Sequence, residues 1–464
     1  MYYRLKKEFR LRGWEKLPWA LMERPRNRVM FINRKEFEAV SCCNGYMDTE
    51  SVFVTPEQKE IMEQMAQKGI VEPCELGDDL DPVQEYRFYP NRFIRTAHWS
   101  ITGRCNFRCK HCFMSAPEAR LGELSHETCM DIIDQLAGCG VQHVSLTGGE
   151  PLVRKDFMEI VDRLLEKEID ITTIYSNGKL VTPELLDALE ARGICPKFDM
   201  SFDGVGWHDW LRGIDGAEKM VTDAFLRCKE RGFPTGSELC LHRGNKDTLR
   251  ESVNRLAGLG VESLKVNPVS STDLWENYDK DYSLSLDEVL DLYLEYIPHF
   301  FEDDMPINLM LGGLFVGRKG STNYLIPAAK YPKGTDKCMN NTVCGHARNT
   351  LYLSPEGRML PCMSLSSMDV QYQYPLITDI GLRKGLTDSV YMSLIDTRVS
   401  AFISHNAECQ ACEYKYVCGA GCRASSMEYG DDIMGPDRAV CKILKQGYLQ
   451  RVKEAVQKGM ALRE

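Results

Sequence analysis

The chain has 464 residues, of which 43% are hydrophobic, and it carries a formal net charge of −10 at pH 7. This composition supplies apolar material for about two or three packed domains, and the acidic balance excludes general affinity for nucleic acid. No run of about eighteen apolar residues occurs, and the N-terminus lacks the apolar core and cleavage site of a signal peptide. We therefore predict a cytoplasmic protein that has no membrane partner.

The first part of the chain predicts a small module of strands and short helices. The stretch "RNRVMFI" favours a strand, and the segment after it favours a helix capped by Asn33 and Glu36. A second helix is opened by a Thr-Pro pair, and "IVEP" returns as an extended segment. We expect a winged-helix-like module over residues 1–75 and an acidic, proline-containing linker over 76–93.

Between Trp99 and Pro268, short apolar runs alternate with amphipathic stretches at intervals of about thirty residues, as βα units require. The strand candidates are "HWSIT", "HVSLTG", "ITTIYSNG", "KFDMSFDG", "SELCLH" and "SLKVNPV". Six such units predict an α/β fold, a partial (β/α)6 TIM-like barrel over residues 94–308. In such folds the active site is built at the C-terminal ends of the strands.

The last third of the chain predicts a change of architecture. The stretch "LSLDEVLDLYLEYIPHFFEDD" favours an amphipathic helix, and residues 309–337 form a bridge rich in glycine and lysine. Residues 338–464 hold eight cysteines and close with a long helix. We expect a separate cysteine-rich domain there.

The number of cysteines, nineteen, is too high for a typical cytosolic enzyme, and the missing secretion signal argues against a disulfide framework. Metal binding explains them better, because eleven are clustered: three lie within residues 105–112 and eight within 338–441. The other eight are scattered, several of them at apolar positions of predicted helices or strands, and we interpret those as small buried hydrophobic residues.

The stretch "CNFRCKHC" places Cys105, Cys109 and Cys112 within eight residues. Three thiolates can hold a four-iron cluster by three irons and leave one iron free for a small chelating ligand. Zinc needs a fourth ligand, and His111 would have to share a tight loop with all three thiols. The spacing favours an iron–sulfur cluster over zinc and leaves both open.

This pattern, CxxxCxxC in the loop after the first barrel strand, resembles the signature of the radical S-adenosylmethionine (SAM) enzymes. The resemblance implies that the three cysteines hold a [4Fe–4S] cluster whose free iron binds the amino and carboxylate groups of SAM. One electron, from a cytosolic donor such as flavodoxin or ferredoxin, then cleaves SAM to a 5′-deoxyadenosyl radical that abstracts a hydrogen atom. The family often has an aromatic residue where this chain has His111.

The motif "TGGEP" at the end of the second strand matches a companion motif of that family. Gly148 and Gly149 would let backbone groups approach the SAM ammonium closely, because glycine has no side chain. Glu150 would supply a carboxylate for the same ammonium. A Gly-Gly-Glu sequence is weak evidence by itself.

Two further motifs occur at the ends of the third and fourth strands. In "YSNG", the resemblance makes Ser176 and Asn177 candidates for contacts to the ribose or the carboxylate of SAM, whereas the alternative is an ordinary Asn-Gly turn. In "MSFDG", it implies Ser201 near the SAM carboxylate. Arg212 is a candidate charge partner for that carboxylate, or else a solvated surface arginine.

The second group of cysteines follows a C…Gx4C…Cx2Cx5Cx3C…C pattern and resembles the SPASM extension of radical SAM enzymes. The resemblance implies two auxiliary [4Fe–4S] clusters, which brings the total to three clusters. It implies that Cys338, Cys344, Cys362 and Cys422 hold the first, and that Cys409, Cys412, Cys418 and Cys441 hold the second. A pair of zinc ribbons is the alternative.

The N-terminal module indicates the substrate class. In SPASM enzymes that modify ribosomal peptides, a small winged-helix element often captures the leader of the precursor peptide as an added strand. The resemblance therefore implies a precursor peptide as partner and a thioether or carbon–carbon crosslink as product. It indicates no catalytic acid or base.

Three other functions remain open. A sulfatase-maturating enzyme would oxidise a protein Cys or Ser, but that group usually has an Asp where this chain has Met363. Peptide epimerisation is a second alternative. A non-enzymatic iron–sulfur electron carrier is the third, although such a protein has no need of a SAM site.

Overall fold

The computed structural model describes residues 1–24, 28–114, 116, 120–270, 272, 274–428 and 432–463. Contacts between residues divide the chain into two units. The first unit contains Met1–Ile94 together with Gly138–Gly140 and Leu382–Asp388, and the second contains the rest. None of the described helices is long and apolar enough to cross a membrane.

The first unit is built on two small sheets and two helices. Its elements are β1 (Tyr2–Leu5), β2 (Phe9–Trp14), β3 (Leu17–Glu23), β4 (Arg28–Phe31), α1 (Arg34–Ser41), α2 (Pro56–Gln67), β5 (Val71–Cys74) and β6 (Arg87–Tyr89). Strand β1 pairs with β5, and the other strands follow the order β4-β3-β2-β6. The predicted capping pair of α1 is present, since Asn33 and Glu36 exchange hydrogen bonds.

Residues 76–93, expected as a linker, are part of this first unit. Strand β6 pairs in parallel with β2, so the segment extends the sheet. The amide of Gln84 donates to the carbonyl oxygens of Leu5, Lys6 and Phe9. The acidic, proline-containing composition indicated a linker, but these buried backbone hydrogen bonds hold the segment in place.

The second unit contains the predicted run of βα units. Its strands are β7 (Thr96–Ser100), β8 (His143–Thr147), β9 (Asp170–Ser176), β10 (Lys197–Ser201), β11 (Thr235–Leu241) and β12 (Ser263–Pro268). The helices between them are α3 (His126–Gly138), α4 (Phe157–Glu166), α5 (Pro183–Glu190), α6 (His208–Arg212), α7 (Ala217–Glu230) and α8 (Leu249–Gly258). All six strands are parallel and neighbours in sequence order, which confirms the predicted α/β fold.

The segment predicted as a bridge over 309–337 differs from expectation, because it continues the sheet. After α9 (Glu276–Tyr282) and α10 (Leu286–Glu302) come β13 (Asn308–Leu311), β14 (Phe315–Arg318) and β15 (Ser321–Leu325). Strand β13 adds in parallel to β12, and β14 and β15 add antiparallel. Alternation of exposed and buried residues along β13 is typical of a strand, a pattern too short to stand out in the sequence.

The C-terminal part consists of short elements around the cysteines. Its strands are β16 (Thr350–Leu353) and β17 (Met359–Leu360), and β16 pairs in parallel with β7. Its helices are α11 (Gly345–Asn349), α12 (Ile377–Ile380), α13 (Leu382–Gly385), α14 (Val390–Asp396), α15 (Val399–His405), α16 (Ala407–Gln410), α17 (Lys415–Cys418), α18 (Arg423–Glu428), α19 (Arg438–Lys445) and α20 (Tyr448–Ala461). Helix α13 belongs to the first unit.

Candidate cluster and cofactor site

A cavity of about 1020 Å³ lies at the C-terminal ends of the parallel strands of the second unit. It brings together residues that are far apart in the sequence. Nine of the site residues predicted in the barrel line it: Cys105, Cys109, Cys112, Gly148, Gly149, Ser176, Asn177, Ser201 and Arg212. Glu150 does not line the cavity and is completely buried.

Helix α6 holds the three-cysteine loop by its backbone. The N–H of Arg108 donates to the carbonyl oxygen of Arg212 at 3.3 Å, and the N–H of Lys110 donates to that of Leu211 at 2.9 Å. Gly213 ends the helix with a φ of 65°, and a side chain there would overlap with the carbonyl of Arg108. The loop is therefore fixed against one side of the barrel rim.

Hydrogen-bond donors are directed at the sulfur atoms of the loop. The backbone N–H of Phe107 donates to Cys105 Sγ at 3.4 Å, and the guanidinium of Arg212 lies 3.7 Å from Cys109 Sγ. Burial raises the pKa of Cys105 to about 12 and also raises that of Cys109. Such thiols release their protons when they bind a metal, and the donors then stabilise the thiolate ligands.

The spacing of the thiols distinguishes between zinc and a larger cluster. A zinc ion with tetrahedral Zn–S bonds of about 2.3 Å holds its sulfur atoms about 3.8 Å apart. Within the described parts of the chain, no three cysteine Sγ atoms lie within 4.8 Å of one another. The thiols as placed are therefore too far apart for a single zinc ion. The donor set of the barrel loop, three thiols with hydrogen-bond donors directed at two of them, suits an iron–sulfur cluster.

Gly148 and Gly149, at the end of β8, allow the backbone there to pack closely on the segment that leads into the cysteine loop. The N–H of Gly149 donates to the carbonyl of Thr102 at 2.8 Å, and the N–H of Glu150 donates to that of Arg104 at 2.8 Å. A Cβ at Gly148 or Gly149 would overlap with those same two carbonyl groups. The glycines are thus required for backbone contact with the chain entering the cysteine loop.

The side chain of Glu150 points away from the cavity and into the strand ends. Its carboxylate accepts hydrogen bonds from the Ser176 hydroxyl at 3.0 Å and from the backbone N–H of Asn177 at 2.7 Å. Burial raises the pKa of Glu150 to about 7, although these hydrogen bonds oppose the shift. Glu150 therefore ties β8 to β9, in contrast to the expected direct contact with SAM.

Asn177 connects the third strand end to the cysteine loop. Its side-chain amide donates to Asn106 Oδ1 at 2.6 Å and lies 3.9 Å from Cys105 Sγ. Ser176 is fully engaged, because its hydroxyl also accepts the N–H of Gly178 at 3.0 Å. Ser201 lies half-buried on the cavity wall at the end of β10.

Arg212 is largely buried and forms an ion pair that was not predicted from the sequence. Its Nε lies 2.5 Å from Asp203 Oδ2, and Asp203 is completely buried. Burial alone would raise the pKa of Asp203, but the Arg212 guanidinium and the His208 ring hold it far below its usual range. The motif "SFDG" contained this signal, since an Asp directly after a strand is often a ligand or a partner of a nearby charge.

Asp203 is close to two other potential ligand atoms. Groups of His111, Asp203 and Cys240 lie within 4.8 Å of one another. The carboxylate is already neutralised by Arg212 and also accepts the backbone N–H of Cys240 at 3.0 Å. We interpret this group as a buried polar contact that supports the cysteine loop.

A polar wall on the inner face of the barrel was not predicted from the sequence. Lys265 Nζ lies 3.1 Å from Glu238, and Lys197 Nζ lies 2.8 Å from Asp199. A side chain at Gly236 would overlap with the second pair. The signal was present as charges at alternate positions of strands that are otherwise apolar. The wall residues that line the cavity are Tyr175, Asp199, Glu238 and Lys265.

The C-terminal cysteines form two neighbourhoods. Burial raises the pKa of Cys362 to about 12, and the nearby Cys422 and Cys344 thiols add to the shift. The residues of the second neighbourhood, which act on one another in the same way, are Cys409, Cys412, Cys418 and Cys441. Of the eight, four line the cavity: Cys344, Cys362, Cys418 and Cys422.

Cys338 belongs to neither neighbourhood by its contacts. It is buried, does not line the cavity, and its Sγ donates to the carbonyl of Tyr416 at 3.5 Å. Asp336 and Lys330 are the charged groups that act on it. Its expected place in the first auxiliary set is therefore a proposal that depends on a change of its side-chain direction.

Two relatives and one solved structure are similar to this chain over most of its length. A PqqA peptide cyclase from Granulibacter bethesdensis is 26% identical over 344 residues, which cover 72% of this chain and 83% of that protein. An AdoMet-dependent heme synthase from Methanosarcina barkeri is 25% identical over 345 residues, covering 71% and 91%. The crystal structure of Streptococcus suis SuiB bound to the precursor peptide SuiA covers 95% of this chain and 100% of its own, with a TM-score of 0.62 and 14% identity.

A family model matches the barrel directly. Residues 99–256 match the model described as the radical SAM superfamily, a span that includes the cysteine loop and all three strand-end motifs. This match confirms the resemblance inferred from the CxxxCxxC loop, and it makes SAM and an iron–sulfur cluster cofactors of this chain. The protein is an enzyme whose residues 99–256 form a radical SAM domain.

Proposed function

We propose that this enzyme is a peptide maturase that takes a hydrogen atom from a ribosomally made precursor peptide and installs a thioether or carbon–carbon crosslink. The observation that carries the proposal is the likeness of 95% of the chain to SuiB, whose structure holds a precursor peptide. The similarity to a PqqA peptide cyclase supports the same class of substrate. The cavity of about 1020 Å³ exceeds most small-molecule pockets and provides room for a peptide segment.

Eleven cysteines would hold three [4Fe–4S] clusters. Cys105, Cys109 and Cys112 would bind the barrel cluster and leave one iron free for SAM. The first auxiliary cluster would be held by Cys338, Cys344, Cys362 and Cys422, and the second by Cys409, Cys412, Cys418 and Cys441. When bound, the barrel cluster and SAM supply a 5′-deoxyadenosyl radical once a donor such as flavodoxin or ferredoxin has delivered an electron.

Some residues around the cysteine loop would contact SAM directly, and others would act through a neighbouring residue. Ser201 would contact the carboxylate of SAM, since its hydroxyl lies on the cavity wall. Glu150 and Ser176 would act through Asn177, because their own polar atoms are bound to each other and to the strand ends. Arg212 would stabilise the barrel cluster through Cys109 rather than contact SAM directly.

The polar wall would contact the peptide. Asp199, Glu238 and Lys265 offer charged groups inside a cavity that otherwise has a largely apolar lining. The expected role of these groups is to hold one residue of the peptide beside the adenosyl group, because the position of the abstracted hydrogen decides the product. They would also exclude alternative peptide registers that leave a charge unpaired.

The first unit would capture the leader of the precursor at the open edge of β4. The N–H of Ile32 donates to the carbonyl of Trp19 at 3.2 Å, so pairing alternation directs the N–H and C=O groups of Val29 and Phe31 away from β3. Among the described residues, no strand pairs with that side of β4. A leader peptide can add there as a further strand.

The direct test uses reconstituted enzyme under anaerobic conditions with SAM, dithionite and synthetic peptides from short reading frames next to the gene. We expect 5′-deoxyadenosine and a peptide that has lost the mass of two hydrogen atoms, as crosslink formation requires. Deuterium from a labelled peptide should appear in 5′-deoxyadenosine.

The alternatives give different results in the same experiment. A peptide of unchanged mass with one inverted residue would indicate epimerisation, and conversion of a Cys or Ser to an aldehyde would indicate sulfatase-type oxidation. SAM cleavage without any change in all such peptides would count against a peptide substrate.

A further inference from the structure

One lysine lies among the cysteines of the auxiliary region. Lys330 follows β15 and lines the same cavity as Cys344, Cys418 and Cys422. Its Nζ donates a hydrogen bond to the carbonyl oxygen of Val343, the residue before Cys344. The ammonium group is therefore held at the start of the cysteine-bearing loop.

The surroundings of Lys330 leave its charge uncompensated by acids. Burial lowers the pKa of Lys330, and the Cys344, Cys422 and Cys418 thiols act in the opposite direction. Its described partners are a carbonyl oxygen and the neighbouring ring of Tyr331, 5.6 Å away, and no carboxylate among the described residues lies within ion-pair distance. The nearest negative charges would be the thiolates themselves.

We propose that Lys330 is a positioning residue that raises the reduction potential of the first auxiliary cluster. This inference rests on the proposed function, because it requires a cluster on Cys344, Cys362 and Cys422. A thiolate-ligated cluster gains a further negative charge on reduction, and a fixed cation in a low-dielectric environment stabilises the reduced state more than the oxidised state. A higher potential makes this cluster a better acceptor of the electron released when the peptide radical closes into a bond.

A second buried cation nearby has a different role. The guanidinium of Arg423 donates to the carbonyl oxygens of Ile433, Gly435 and Ala420, and it stacks 4.4 Å from the ring of Phe402. These contacts fix the chain around Cys422. Arg423 thus serves the local structure, whereas Lys330 makes a single hydrogen bond and can be replaced with less disturbance.

The experiment is an EPR-monitored potentiometric titration of the full reconstituted enzyme, with iron and sulfide measured on the same samples. Lys330→Gln keeps a hydrogen-bond donor and loses the charge, and Lys330→Arg keeps both. We expect one of the three midpoint potentials to shift to a more negative value in Lys330→Gln and to return towards wild type in Lys330→Arg. Lys333→Met is the control, because Lys333 is an exposed lysine of the same segment. It should change none of the three midpoint potentials.

The outcomes separate this inference from the proposal beneath it. Wild-type enzyme with less than about twelve irons per chain would contradict the three-cluster assignment. Full iron with unchanged potentials in Lys330→Gln would overturn the role of Lys330 alone. If Lys330→Gln loses a cluster, Lys330→Met is titrated as a second variant without the charge. An unshifted potential in Lys330→Met would overturn the electrostatic role of Lys330. An equal loss of the cluster in Lys330→Arg would also overturn that role, because the residue would then act through structure alone.

Discussion

The backbone N–H of Asn177 donates a 2.7 Å hydrogen bond to the buried carboxylate of Glu150. This contact joins the ends of two neighbouring parallel strands directly beneath the cavity. Asn177 in turn reaches Asn106 in the cysteine loop at 2.6 Å. The third strand end and the cysteine loop are therefore aligned by one chain of hydrogen bonds that begins at Glu150, a residue without access to the cavity.

Replacing Glu150 by Gln should weaken SAM binding while the barrel cluster remains. The amide oxygen can accept only part of the hydrogen bonds that the carboxylate accepts, so Ser176 and Asn177 lose their fixed orientation. We expect about a tenfold or larger increase in the dissociation constant of SAM, which corresponds to about 1.4 kcal/mol. Isothermal titration under anaerobic conditions measures it, and unchanged affinity would show that the contact has no positioning role.

The same variant gives a prediction about pH. Burial raises the pKa of Glu150 to about 7 in the folded protein. The folded state then binds more protons than the unfolded state between about pH 4.5 and 7, so this group's contribution to stability is full at low pH and is lost as the pH rises through 7. Relative to Glu150→Gln, wild type should lose stability between about pH 4.5 and 7, by at most about 1.4 kcal/mol per pH unit.

Urea denaturation of both proteins at several pH values tests this second prediction. A difference in free energy of unfolding that stays constant across the range would mean that Glu150 keeps the same protonation state throughout. A difference that grows in favour of wild type at high pH would contradict the predicted direction of the pH dependence.

Replacing Asp203 by Asn should destabilise the second unit strongly. The change leaves the guanidinium of Arg212 buried without its partner, which typically costs about 3–5 kcal/mol. Arg212 also holds the cysteine loop through Cys109, so iron bound at the barrel cluster should fall. Asp215→Asn is the matched control, because Asp215 is an exposed acid shortly after helix α6, which carries Arg212. This change should leave both stability and iron content unchanged.

Replacing Gly149 by Ala should displace the cysteine loop. A Cβ there would overlap with the backbone carbonyl of Arg104, which cannot move as a flexible side chain could. We expect loss of about four irons per chain, one cluster, together with reduced stability. Gly258→Ala is the control, because no atom lies within 4 Å of the added Cβ and alanine favours the helix by about 1 kcal/mol. Equal iron in the two variants would refute the close-contact role.

Replacing Phe31 by Pro tests the open edge of β4. Proline removes the outward N–H of this residue, which is not used in pairing with β3, so the sheet of the first unit should persist. Leader-peptide affinity should fall more in Phe31→Pro than in Phe31→Ala, which removes only the side chain. Fluorescence anisotropy of labelled leader peptides measures both, and equal affinities would argue against strand addition at this edge.

The fold was predictable where patterns were long and repeated. Six strands that alternate with helices, and motifs such as "TGGEP" and "YSNG" at strand ends, indicated both the parallel sheet and the residues around the cavity. Short elements were not predictable in the same way. Strand β13 has only four residues, and its pairing with β12 depends on distant parts of the chain.

The direction of individual side chains was also beyond the sequence. Glu150 was expected to contact SAM, yet a buried carboxylate needs hydrogen-bond donors, and the nearest ones belong to Ser176 and Asn177. Arg212 was a candidate charge partner of the SAM carboxylate or else a solvated surface arginine, and the structure pairs it with the completely buried Asp203. A sequence motif gives the residues at a site, whereas their pairing is decided by which polar groups are left buried together.

The assignment of the barrel cysteines is tested by comparing the Cys105→Ala/Cys109→Ala/Cys112→Ala variant with wild type and with Cys195→Ala, which changes an exposed cysteine outside the predicted ligand sets. Iron and 5′-deoxyadenosine are measured after anaerobic reconstitution with SAM and dithionite. We predict about twelve irons per chain in wild type and in Cys195→Ala, and about eight in the triple variant with no 5′-deoxyadenosine. A triple variant that still cleaves SAM, or that keeps the iron content of wild type, would contradict the assignment of these three cysteines.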